Sequence, residues 1–337
     1  MSAPDVAEAL EPLPWHAAQW QRLTARRQAG NLPHALLIAG PAGVGKTRFA
    51  QRLANALVCT HEDPAARPCG ACQACHLAQT GVHPDLFWVT PEEPGRPIRI
   101  DAIRELIERA ALTTQASGER VFVIAPADAL NRAAANALLK TLEEPTEASR
   151  MLLVSSAPYR LPATILSRCQ RVSFRPVPPE QGREWLAARG VEGDLDAALA
   201  ASGGAPLAAL AMLEEAGLAR LEGLVDELAA LAARRADPLR TAAAWAERAA
   251  PALLADLRRV VADLVRLGAG GEGRRLYLPG RASDLQKTAD HINLQKLFHF
   301  LDEVNRLERQ LVNNLNPQML TEKLVNDWLS LTRPEKR

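Results

Sequence analysis

The sequence predicts an α/β fold for residues 1–175 and an all-helical remainder. Three observations predict it. Five short apolar runs alternate with helical patterns up to Phe174, the pattern of a parallel sheet covered by helices. The first run leads into Gly40-Pro-Ala-Gly43-Val-Gly45-Lys46-Thr47, a glycine-rich turn that belongs between a strand and a helix. Beyond Arg175-Pro-Val-Pro-Pro179 the strand signals vanish and Ala and Leu dominate.

The runs are His34–Ala39, Asp85–Val89, Arg120–Ala125, Arg150–Ser156 and Arg171–Phe174. They are near-continuously apolar, as strands buried on both faces are. Helical spacing is predicted over Thr47–Val58, Ile100–Thr113 and Arg132–Glu144. The Pro-rich segment 175–179 cannot continue a helix or a central strand and reads as a hinge. Gly203-Gly204-Ala205-Pro206 breaks the helical pattern again. The expected domains are therefore a sheet core over 1–175, a small helical lid over 176–215 and an all-α C-terminal domain over 216–337. In the last, Gly268–Gly273 reads as a flexible loop. Leu294, Leu297, Leu301, Val304, Leu307 and Leu311 form one helical stripe suited to core or subunit contact.

Composition narrows the class. At ~150 residues per domain, 337 residues allow two to three domains. Lys plus Arg is 40 and Asp plus Glu is 39, a net charge of +1. That excludes a protein that holds nucleic acid through its own overall charge. A 47% hydrophobic content excludes disorder as the main state. No apolar run reaches the ~18 residues of a membrane span. The N-terminal stretch has early acids and no basic start before an apolar segment, so no signal peptide is expected. The expected compartment is the cytoplasm, where clustered thiols more often bind metal than pair.

The turn at 40–47 matches G-x-x-x-x-G-K-[ST]. Gly40, Gly43 and Gly45 let the backbone wrap a phosphate with its N–H groups inward. Lys46 would reach the β- and γ-phosphates, and the Thr47 hydroxyl would ligate Mg²⁺. The expected ligand is ATP or ADP with Mg²⁺. Hydrolysis needs acids as well, to hold the metal and to orient water. At the end of the third run stand Ala125 and Pro126, and the first acid is Asp128. At that offset Asp128 reads as a turn or capping residue.

Cys59-x9-Cys69-x2-Cys72-x2-Cys75 sets four thiols in one short stretch. Two-residue spacings supply adjacent corners of a tetrahedron, and four protein ligands leave no open position, so a structural Zn²⁺ site over 59–75 is expected. An iron–sulfur cluster and a set of unligated thiols are the alternatives. His61, His76 and His83 lie nearby and read as solvated or hydrogen-bonded histidines.

Asn136-Ala-Leu-Leu-Lys140-Thr-Leu-Glu143-Glu144-Pro145 and Leu161-Pro-Ala-Thr-Ile-Leu-Ser167-Arg168-Cys169 resemble the AAA+ clamp-loader subunits, whose Ser-Arg-Cys signature the second contains. The cysteine insertion after the phosphate-loop helix is another shared feature. The resemblance implies an AAA+ P-loop core with a zinc-binding insertion, a lid and a helical collar, and a place in the bacterial DNA polymerase III holoenzyme. It makes Arg168 an arginine finger that reaches the γ-phosphate held by a neighbouring subunit. It places the first nucleotide-sensing residue at Ser155 or Ser156. It implies tau/gamma and delta subunits as partners, with the sliding clamp and primer–template DNA met through the assembly.

Two departures from the motor subunits follow. The acid pair after the third strand is replaced by Ala125 and Pro126, and no arginine follows the break at Gly203–Leu207. The expectation is a stator-like subunit that gives Arg168 to its neighbour and does not itself hydrolyse ATP. The alternative is a tau/gamma-like motor in which Asp128, Glu143 or Glu144 replaces the missing acids. A third reading, a stand-alone zinc-bearing P-loop protein such as a nucleotide kinase, leaves the Ser-Arg-Cys block unexplained.

Overall fold

The computed structural model describes residues 11–332 except 94, 113, 115, 117, 147, 271–275 and 311–315. Thr113, Leu311 and residues 271–273 of the expected loop lie outside the described residues. The chain divides into two compact units, 1–177 and 178–337.

The first unit holds five parallel strands: β1 (Ala35–Ala39), β2 (Leu86–Val89), β3 (Arg120–Ile124), β4 (Ser149–Ser155) and β5 (Gln170–Ser173), in the order β2-β3-β4-β1-β5. Strand residues alternate between faces. Leu37, Phe122, Ile124, Met151 and Leu153 belong to a cluster with Ile103 and Leu106 of helix α4 (Ile100–Ala110), and with Leu138 and Leu142 of α5 (Arg132–Glu143). The opposite face, with Leu36, Ile38, Val121, Val123 and Leu152, is also fully buried. Helix α2 (Lys46–Val58) packs against β1, β3 and β4. Coverage on both sides is why these strands read as unbroken apolar runs. Each fully buried Leu or Ile in such a layer stabilises by ~1.5–3 kcal/mol.

Helices α1 (Ala17–Gln28), α3 (Gln73–Gln79) and α6 (Ala163–Leu166) complete the unit. At the start of β2 and β3, buried Asp85 pairs with buried Arg120 at 3.4 Å. The same guanidinium donates to the carbonyls of Arg109 and Leu112, and the carboxylate accepts the Ala116 N–H at 2.7 Å. The end of α4 is thereby tied to the strand layer.

The second unit is helical: α7 (Pro179–Ala187), α8 (Leu195–Ala201), α9 (Pro206–Glu214), α10 (Gly217–Ala232), α11 (Pro238–Ala246), α12 (Ala250–Gly268), α13 (Ala282–Ala289), α14 (Leu294–Gln310) and α15 (Pro317–Leu331). The last proline of segment 175–179 starts α7, a position that needs no backbone N–H. One cluster, in which Trp245 and Trp328 are fully buried, takes in Ala201 and Met212 as well as residues of α10–α15. Both indole N–H groups are satisfied, by Glu227 at 2.7 Å and the Leu228 carbonyl at 3.0 Å. Of the predicted stripe, Leu297, Val304 and Leu307 are buried, and Leu294 and Leu301 pack against the cluster. No single described helix is long and apolar enough to cross a membrane.

Candidate functional site

The glycine-rich turn leaves β1 at Ala39 and ends where α2 starts, at Lys46. Each glycine is required by geometry. A Cβ on Gly40 would lie 2.5 Å from the Phe174 carbonyl oxygen. Gly43 and Gly45 have φ of 80° and 84°, and a Cβ on Gly45 would lie 2.4 Å from Leu13 Cδ1. The turn is clasped from the N-terminal side. The Val44 carbonyl accepts the Trp15 Nε1–H at 2.9 Å and a bond from His16 Nε2 at 2.8 Å. Sequence reasoning missed this clasp. Its signal was Pro14-Trp15-His16, a polar-tipped aromatic pair just ahead of the first helix. Burial pushes His16 down to about 4, against the bond to Val44, with Arg52 and Arg48 adding to the fall.

Lys46 is only 5% exposed. Its ammonium donates to the Pro41 carbonyl at 2.5 Å and to Ser156 Oγ at 2.9 Å. Burial lowers its pKa to about 8, opposed by the nearby Asp128 carboxylate. The structure therefore brings Ser156, at the end of β4, to the turn. Ser155 instead has a fully buried side chain. Thr47, one residue into α2, is exposed. Asp128 lies in the turn Ala127–Ala129 after β3, and its Oδ1 accepts the Ser156 N–H at 3.1 Å. The first acid after β3 is thus engaged in joining the ends of two strands.

At the far end of α2, thirteen residues and ~20 Å away, Cys59 caps the helix. Its Sγ lies 3.6 Å from Cys69 Sγ and 3.8 Å from Cys72 Sγ, and Cys69 Sγ lies 3.9 Å from Cys75 Sγ. All four sulfurs lie within 4.8 Å of one another. A tetrahedron with metal–sulfur bonds of ~2.3 Å has edges of about 3.8 Å, so this set could coordinate a metal ion. Backbone N–H groups already point at two of the sulfurs: Cys72 donates to Cys69 and Cys75 to Cys72, each at 3.4 Å. Gly70, at φ 71°, makes the turn between them. Among the described residues these four cysteines are the only metal-competent group of this kind, and His61, His76 and His83 are not part of it. His61 faces Asp63, and His83 accepts the Asp85 N–H at 3.0 Å.

Arg168 follows α6 and precedes β5. Its Nη2 meets Glu143 Oε1 at 2.5 Å, and Nη1 donates to the Thr164 carbonyl at 3.0 Å. Its side chain is 34% exposed. Cys169 beside it is buried, and burial pushes its thiol up to about 11.

A family model described as DNA polymerase III, delta subunit matches residues 15–178, and one described as its C-terminal part matches residues 215–330. The DNA polymerase III subunit delta′ of Pseudomonas aeruginosa is 34% identical over 328 residues, covering 95% of this chain and 98% of that one. The delta′ subunit of Escherichia coli K12 is 33% identical over 318 residues, 93% of each chain. The tau subunit of the same organism is 36% identical over 157 residues, 47% of this chain and 24% of its own.

Proposed function

The chain belongs to the DNA polymerase III delta-prime family of clamp-loader subunits, and from that premise we propose that it is the stator-like member of its loader. In this reading it helps to load the sliding clamp onto primed DNA in the cytoplasm. It binds tau/gamma and delta subunits through its helical unit, read as a lid (176–215) and a collar (216–337). It lends Arg168 to the ATP site of the neighbouring motor subunit and does not itself turn ATP over.

The observation that carries the last point is the end of β3. Ala125 and Pro126 stand there, and Asp128 spends a carboxylate oxygen on the Ser156 N–H. The strand end itself therefore offers no carboxylate to hold Mg²⁺ or to orient water, and the first acid beyond it is tied to the end of β4. The turn itself keeps what a nucleotide needs: Gly40, Gly43 and Gly45 for the wrap, Lys46 and Ser156 for the phosphates, and Thr47 for Mg²⁺. ATP or ADP is therefore held as a static ligand. An always-charged guanidinium such as that of Arg168 suits the charge that develops on a transferring phosphoryl group. The four-cysteine set suits Zn²⁺, closed on all four corners and hence structural.

Steady-state ATP hydrolysis by the isolated chain, with Lys46→Ala beside it, tests the reading. We expect nucleotide binding at millimolar concentration and no turnover above the Lys46→Ala background. A turnover that disappears with Lys46 would make the chain a motor of the tau/gamma type. The intact, buried Lys46 is what favours that second reading.

A further inference from the structure

Arg168 is engaged within its own subunit. Nη2 meets Glu143 Oε1 at 2.5 Å, while Nη1 donates to the Thr164 carbonyl at 3.0 Å and lies 3.4 Å from Ser167 Oγ. Glu143 is the last residue of α5. A carboxylate there faces the negative end of the helix dipole, so the stability of α5 does not account for it. The arginine does. The neighbours of both residues are fixed, because Leu142, Ile165 and Cys169 share one buried cluster. The two charged heads stay partly in water, at 34% and 47% exposure.

We propose that Glu143 is a latch on Arg168: it holds the guanidinium in a neutral pair until the triphosphate on the neighbouring subunit displaces it. The inference rests on the reading of Arg168 as acting in trans. Orientation is already supplied by the Thr164 carbonyl, so the carboxylate is not needed to aim the side chain. Charge is what it changes. A pair at contact distance presents little net charge to an approaching anion, and the full field of the guanidinium returns only when Glu143 lets go. The exchange is feasible because a partly exposed pair is weak. A polyphosphate offers the fork of Arg168 two oxygens and more charge than one carboxylate.

The test is ATP hydrolysis by the loader reconstituted with its partner subunits, measured over a range of ATP and salt concentrations. The variants are Glu143→Gln, Glu143→Asp, Arg168→Ala and the Glu143→Gln/Arg168→Ala double. Glu143→Gln keeps the shape and removes the charge. It is expected to lower the KM for ATP two- to fivefold, the range a pair of this exposure can supply, without lowering kcat. Glu143→Asp should restore the wild-type KM. The gain from Glu143→Gln should shrink at high salt, where the pair is already screened in the wild type, and vanish without Arg168. An unchanged KM in Glu143→Gln would overturn the latch. So would a lowered kcat, which would make Glu143 a support for Arg168, or a shift that persists in the double variant. Hydrolysis unaffected by Arg168→Ala would instead overturn the reading in trans on which the latch stands.

Discussion

His16 shows how a single buried group sets the conditions under which the glycine-rich turn is held. Its Nε2–H donates to the Val44 carbonyl, which needs only the neutral ring. Burial brings its pKa to about 4, from 6.5. Below pH 6.5 the unfolded chain takes up a proton that the folded chain accepts only near pH 4. Stability therefore falls as pH drops through this window, by roughly 3 kcal/mol in all and about 2 kcal/mol by pH 5. His16→Gln retains a donor for Val44 and cannot titrate. Urea unfolding at pH 7 and pH 5 should show a larger loss in the wild type than in the variant. Equal losses would place the acid sensitivity elsewhere. Lys46 shows the complementary effect. Its amine is buried and donates to Ser156 and the Pro41 carbonyl, and burial lowers its pKa to about 8 against the opposing Asp128 carboxylate.

At the scale of elements, much was legible and the rest had physical reasons to be hidden. All five strands fall within a residue or two of the apolar runs, because burial on both faces leaves an unbroken signal. The glycine-rich turn was legible because only glycine meets its conformations and close approaches. The cysteine spacing was legible because two-residue gaps have few other uses. By contrast, α6 is four residues long, too short for periodicity to register. The role of Asp128 was half legible: its offset marked a turn, but the bond to Ser156 spans 28 residues and leaves no local trace. The ion pair Glu143–Arg168 was hidden for the same reason, each residue having been read within its own motif. Asp85 and Arg120 are a third case, read only as strand ends and found to be a buried pair. Arg120→Ala would strip Asp85 of its cation inside the fold. The expected cost is about 3–5 kcal/mol, read as a fall in the urea midpoint with the slope unchanged. Arg104→Ala, which removes an exposed partner of Asp101 on α4, should cost well under 1 kcal/mol. Similar losses in the two variants would mean that the buried pair carries no special load.

At the scale of the whole molecule, the two units have separate cores, and among the described residues only the first has a metal-competent cluster. That difference would make a metal held there a selective probe. Four thiolates that share an ion release it only by opening, so the binding free energy of an ion held there would add to the stability of residues 11–177. The tryptophans allow the two units to be followed separately. Trp245 and Trp328 are fully buried in the second unit, and replacing Trp15, Trp20 and Trp88 by Phe leaves fluorescence that reports on that unit alone. After removal of the metal with a strong chelator, calorimetry should show one transition moved down by several degrees, at ~2–4 °C per kcal/mol for units of this size. The fluorescence transition should stay where it was. Cys72→Ser should reproduce the shift without chelator, and elemental analysis of the wild type should give one zinc per chain. Iron in place of zinc would turn the site into a cluster of another kind. A single transition that moves at every probe would mean that the units unfold together. In that case the cysteine set would stabilise the helical unit as well as its own.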